Sequence, residues 1–166
     1  SRGLGDVYKR QMPLPEKDEM YLTKGKMLQD IVVCLGGRIA ESLVFDDVTT
    51  GAVQDIRQAT ERARDMVTKY GFSDELGMIN YSTSDDEVFI GREIGHAKNF
   101  SEGTAAVIDQ EVKRIIESCR EKATKILKEN RKVLDKLAEL LIEKERIGQQ
   151  EFEALFEQND ETIEEM

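Results

Sequence analysis

Tryptophan is missing from this 166-residue chain, histidine occurs once, proline and cysteine twice each, and aromatic residues make up only 6%. Each scarcity removes a class of protein. The lone His96, set between Gly95 and Ala97 in a polar stretch, reads as a surface residue, and one histidine cannot supply paired imidazoles at i and i+4. Cys34 and Cys119 lie far apart in the chain, each on an apolar helix face and without zinc spacing. That suits buried thiols in a reducing compartment rather than a disulfide or a metal site. The longest clean apolar run, residues 31–35, is far too short to cross a bilayer. No signal peptide is legible either, so any membrane anchor of a parent protein lies outside this chain. There is no Gly-x-x-x-x-Gly-Lys-Ser/Thr loop to hold ATP, and Gly36-Gly37 lacks the third glycine and preceding strand of a dinucleotide site. No histidine is placed to suggest a serine triad.

Charge is what the chain has in quantity. Charged residues reach 35%, with a net charge of −10, which repels phosphates and argues against a nucleic-acid surface. The acidic balance serves solubility. The length fits one domain with a sizeable core. Abundant Ala, Glu, Lys, Leu and Arg with few prolines point to a mainly α protein. The expected fold is helical, with a small two-stranded β element and a C-terminal helical hairpin.

Residues 1–11 show no clear period. Pro13 and Pro15 keep the next few residues extended. Thr23 is placed to cap a first helix, in which Met27, Leu28, Ile31, Leu35, Ile39, Leu43 and Val44 recur at helical spacing. Gly36 and Gly37 inside it cost about 2 kcal/mol relative to two alanines, which implies either a kink or break, or close approach of another backbone. A second helix over about residues 51–70 carries Ile56, Ala59, Ala63, Met66, Val67 and Tyr70 on one stripe and stops at Gly71. Residues 77–81 and 87–90 read as strands around a polar turn, and 91–100 as loop. Ser101 caps a long helix that reaches a joint at Asn130. A further helix ends before Gly148, and Phe152, Leu155 and Phe156 form a last short amphipathic helix. The acidic tail, residues 157–166, is expected to fray. The last two helices make the hairpin.

Asp55 falls in the first turn of the second helix. By itself, an acid there complements the positive end of the helix dipole, worth roughly 0.3–1 kcal/mol. Glu41, following Gly37-Arg38-Ile39-Ala40, reads by composition as an exposed helix carboxylate.

Several segments nevertheless agree in order with one family. Gly36-Gly37-Arg38-Ile39-Ala40-Glu41 is followed by Thr49-Thr50-Gly51-Ala52 with Asp55, then Ala59-Thr60, Ala63-Arg64 and Met66-Val67. The run Tyr70-Gly71-Phe72-Ser73-Asp74-Glu75-Leu76-Gly77 comes next, then Phe89-Ile90-Gly91-Arg92 and Ile108-Asp109 with Glu111-Val112. Over about residues 12–156 the chain resembles the C-terminal part of the M41 peptidase domain of the FtsH family, the membrane-anchored AAA+ zinc metalloproteases. The resemblance implies that Asp55 is the third zinc ligand. A carboxylate suits that place beside two imidazoles, leaving one position for water. It also implies that Glu41 lies close to the metal and orients a zinc-bound imidazole.

The two imidazoles and the general base of that family come from a His-Glu-x-x-His helix, and this chain has no such motif. Residues 12–156 therefore correspond to a partial peptidase domain, preceded by an unmatched segment, 1–11. The chain by itself is expected to be inactive, with no catalytic residue of its own, and to expose apolar surface along its first helix. For the intact protein the resemblance implies bound Zn2+, ATP held by an AAA+ module absent here, a homo-hexamer and unfolded polypeptide substrates. It implies a place on the cytoplasmic side of a bacterial inner membrane, or the equivalent organelle membrane, through segments absent here. The alternative is a non-enzymatic helical scaffold or protein-binding module. The two differ at Asp55, which a scaffold has no reason to aim into a site.

Overall fold

Thr23 opens the first helix as the sequence predicts, its backbone extended and its hydroxyl accepting from the Lys26 amide at 3.1 Å. That bond satisfies one of the amides that every helix start leaves unpaired. The structure, a computed structural model, describes residues 21–45, 47–82 and 100–164, with 157–164 described by backbone alone. The described residues form five α-helices: α1 (Lys24–Val44), α2 (Val53–Thr68), α3 (Glu102–Glu129), α4 (Arg131–Lys144) and α5 (Gln149–Glu164). A 3-10 turn, Thr50–Ala52, leads into α2.

The core lies where α1, α2 and α3 meet. Met27, Ile31, Leu35 and Ile39 from α1 pack with Ala59, Ala63, Met66 and Val67 from α2 and with Ile108, Val112, Ile115, Cys119 and Ala123 from α3. Each large side chain buried there contributes roughly 1.5–3 kcal/mol. Ala59 and Ala63 are fully buried, and their small size lets α2 sit close to its neighbours. Polar pairs fix the directions. Thr49 meets Glu41, Cys34 meets Gln58 and Asp30 meets Arg62, so α2 and its lead-in run antiparallel to α1. The Cys119 thiol reaches the Leu28 carbonyl at 3.7 Å, and Arg131 reaches the Leu43 carbonyl at 2.8 Å, so α3 and the start of α4 follow α1 in parallel.

Glu111 is a charged residue within this apolar setting. Its carboxylate accepts from Ser73 Oγ at 2.7 Å and from Arg114 Nε and Nη2 at 2.7 and 2.8 Å. Ser73 Oγ in turn accepts from the Leu76 amide at 3.3 Å. These bonds tie the segment after α2 to α3. Arg114 holds the Glu111 carboxyl down at about 2 against the opposing effect of burial, with Ser73 assisting.

One expectation changes. Residues 77–81 form no strand, and their expected partner, 87–90, lies outside the described residues. Gly77 has a positive φ of 68°, Met78 is almost fully exposed, and the Tyr81 amide bonds the Thr68 carbonyl at 2.7 Å. The segment thus spends its backbone bonding on the end of α2 instead of a ladder. The glycine pair does not break α1, which continues through both. The backbone of α5 is helical to Glu164, within the acidic tail, in a sequence rich in Glu and Gln and free of Pro and Gly. The two cysteines are free, Cys119 buried and Cys34 half-buried. Among the described residues no helix is long and apolar enough to cross a membrane. His96 and residues 1–11 lie outside the described residues.

Candidate metal centre

Asp55 stands in the first turn of α2, as its sequence position implies. Ala52, which precedes the helix, has no side chain able to cap it, and no cap bond is made there. The orientation of the first turn is set instead by the 3-10 turn before it. Asp55 is exposed, and among the described residues no hydrogen bond or ion pair holds its carboxylate. It is nonetheless turned toward α1. A Cβ built on Gly37 would lie 4.0 Å from Asp55 Oδ2, and that oxygen is the one atom within this range. The backbone of Gly37 therefore faces the carboxylate.

Cys34 lies one turn earlier on α1. Burial pushes its thiol pKa up; nearby Arg62 opposes this, while Asp55 and Asp30 add to it. Its thiol faces the Gln58 amide oxygen at 4.0 Å. Asp30 and Arg62 close the row with an ion pair between the two helices. A raised thiol pKa and a protonated sulfur do not make Cys34 a metal donor.

The lead-in to α2 is gripped from α1. The Thr49 hydroxyl donates to Glu41 Oε1 at 3.0 Å and accepts from the Gly51 amide at 3.1 Å. Its amide donates to Glu41 Oε2 at 3.3 Å, and its carbonyl accepts from Arg38 Nη1 at 2.6 Å. Arg38 and Glu41 also face each other at 3.8 Å across one helical turn. Glu41 is thus engaged with Thr49, on the same side of α1 as Gly37 and Asp55. The sequence signal for this grip was the i, i+3 spacing of Arg38 and Glu41 ahead of a Thr-Thr-Gly turn. Reading from the residues singled out Glu41 but passed over Arg38 and Thr49.

The opposite side of this region is open. Nothing lies within 4 Å of a Cβ built on Gly36, and Val33, three and four residues before the glycine pair, is 60% exposed. Val53 and Ile56 at the start of α2 are exposed as well. Among the described residues no three His, Cys, Asp or Glu side chains come together as a metal site. A four-coordinate zinc ion needs nitrogen, sulfur or carboxylate donors at about 2.0–2.3 Å. Asp55 meets that chemistry as one donor: ionisable, accessible and uncommitted. Among the described residues no further donor stands with it.

The chain belongs to peptidase family M41, whose family model matches residues 4–155. The match begins ahead of Met12, where the residues themselves first suggested a boundary. Relatives include the ATP-dependent zinc metalloprotease FtsH 1 of Thermoanaerobacter sp. (strain X514), 50% identical over 149 residues, which covers 90% of this chain and 24% of that protein. The ATP-dependent zinc metalloprotease FtsH of Caldicellulosiruptor bescii is 51% identical over 144 residues, covering 87% of this chain and 23% of the relative. That of Thermotoga maritima is 43% identical over 150 residues, 90% of this chain and 25% of the relative. The chain therefore spans about a quarter of the length of these relatives.

Proposed function

We propose that this chain is the C-terminal part of the zinc-peptidase domain of an ATP-dependent metalloendopeptidase that works in protein quality control. The observation that carries the reading is the Asp55 carboxylate, turned onto the bare backbone of Gly37 and held by no described protein group. A structural acid at a helix start does not need a glycine facing it. Asp55 would hold the metal through its carboxylate, and a side chain at Gly37 would lie in contact with that carboxylate. Zinc, when bound, supplies Lewis-acid activation of water for attack on a peptide carbonyl. Glu41 shapes the approach to this site from α1.

The complete protein joins this domain to an AAA+ module that binds ATP and to membrane-spanning segments. It assembles as a homo-hexamer and draws in unfolded polypeptides. Its place is the cytoplasmic side of a bacterial inner membrane, or the corresponding organelle membrane. On its own the chain offers one donor and no general base, so purified protein is expected to leave an unfolded casein substrate uncleaved with zinc present.

The decisive experiment is zinc titration of the full-length gene product with and without Asp55→Ala. Loss of one of three protein donors is expected to weaken binding by roughly 100-fold or more, at least the upper effect of losing a ligand's supporting partner. Undiminished affinity in the variant removes Asp55 from the coordination sphere and the reading with it.

A further inference from the structure

We infer that Arg38, acting on Thr49 together with Glu41, is a positioning residue that sets the aim of the Asp55 carboxylate. The inference rests on the metal-centre reading above and adds a device to it.

The device starts from something that α2 lacks. Its first turn has no side-chain cap, so its free amides do not define how the chain enters the helix. Entry is fixed one step earlier, at Thr49, which adopts extended backbone (φ −104°, ψ 170°) before the 3-10 turn. Thr49 is committed at its amide, hydroxyl and carbonyl. The amide and the hydroxyl proton go to Glu41, the hydroxyl oxygen takes the Gly51 amide, and the carbonyl takes Arg38 Nη1 at 2.6 Å. A charge-assisted bond of this length is among the stronger kinds. Ala52, at the end of the turn, is buried. The path from Thr49 to Asp55 is thus pinned at its start by two α1 side chains and in its middle by an apolar anchor.

The spacing on α1 gives the device its purpose. Gly37, which faces Asp55 Oδ2, immediately precedes Arg38. The same short stretch of α1 therefore holds the lead-in and receives the carboxylate. Among the described residues, Arg38 bonds the Thr49 carbonyl and pairs with Glu41, not with Asp55. Its effect travels through the Thr49 carbonyl and the turn, so losing it leaves the ligand present but loosely aimed.

Two measurements test this. In the present chain, amide hydrogen exchange at residues 51–55 is expected to speed up about tenfold in Arg38→Met, while core amides such as those of Ile31, Val67 and Ile115 keep their protection. In the full-length zinc-loaded protein, Arg38→Met is expected to weaken zinc binding about tenfold. Arg38→Lys, which keeps the charge but presents it as a single ammonium, should fall between. If Arg38→Met proves too unstable to purify, Arg38→Lys and Thr49→Val carry the test with the same two readouts. Zinc affinity unchanged in every variant, with Asp55→Ala losing it, overturns the positioning role and leaves the metal reading standing. Unchanged affinity in Asp55→Ala overturns both.

Discussion

The Glu111 carboxylate, sealed between α3 and the segment after α2, makes a pH dependence that can be worked out in sign. Its pKa sits at about 2 in the folded protein, below the ordinary 4.5, chiefly because Arg114 bonds the ionised form. A depressed carboxylate pKa stabilises the fold above about 4.5, and that contribution fades as pH falls toward 2. Glu111→Gln is therefore expected to cost roughly 1–3 kcal/mol at neutral pH. Urea unfolding of the two proteins should show the gap constant above pH 5 and closing below 4.5. A gap that persists to pH 2.5 would show that shape, not charge, is what Glu111 supplies. Cys34 offers a second test at this scale. Asp55 is one of the charges that raise its thiol pKa, so Asp55→Asn should free more thiolate at a given pH. Alkylation of Cys34 at pH 8, read by mass spectrometry against buried Cys119, is expected to rise up to about twofold. No change would mean that the carboxylate faces away from α1.

At the scale of elements, the two glycines of α1 separate what the helix wants from what the site wants. Gly36 has open space around its missing side chain, so Gly36→Ala should stabilise the chain by about 0.5–1 kcal/mol through helix propensity. Gly37→Ala gains the same propensity but sets a methyl against Asp55. It should raise the urea midpoint of this chain while weakening zinc binding in the full-length protein, and equal zinc binding by both alanine variants would remove the distinction. Gly71 is the contrary case. With φ at +63° and a built Cβ only 3.1 Å from Met78 Cα, it has no room for a side chain, and Gly71→Ala should cost more than about 1 kcal/mol.

These elements also show what could be read in advance. Thr23 and Ser101 cap their helices through local hydroxyl bonds, and Asn130 sits at the joint between α3 and α4. Such signals lie within a few residues of their effect, so the sequence displays them. The expected strand at 77–81 failed because its apolar residues carry no record of the Tyr81 bond back to Thr68. Asp55 was legible from motif order, but its contact with Gly37 was not. That contact depends on the antiparallel run of α2 along α1, which the Thr49 grip and the Asp30–Arg62 pair enforce across long sequence separations.

Across the whole molecule, burial is unevenly shared. The three core helices supply thirteen buried hydrophobic residues, joined by Leu76 from the segment after α2, whereas in the hairpin of α4 and α5 Val133 and Leu155 are the buried hydrophobics among the described residues. Regions with few buried apolar contacts open at lower free energy. Amides of α4 and α5 are therefore expected to exchange before those of Ile31, Met66 and Ile108, and uniform protection across all five helices would contradict this. The Arg131 guanidinium, at the very start of the hairpin, reaches across to the Leu43 carbonyl in the last turn of α1. That tether links the hairpin, which has few buried apolar side chains among the described residues, to the last turn of α1. Any strain on the hairpin arrives within one or two turns of Arg38 and Glu41, which hold Thr49.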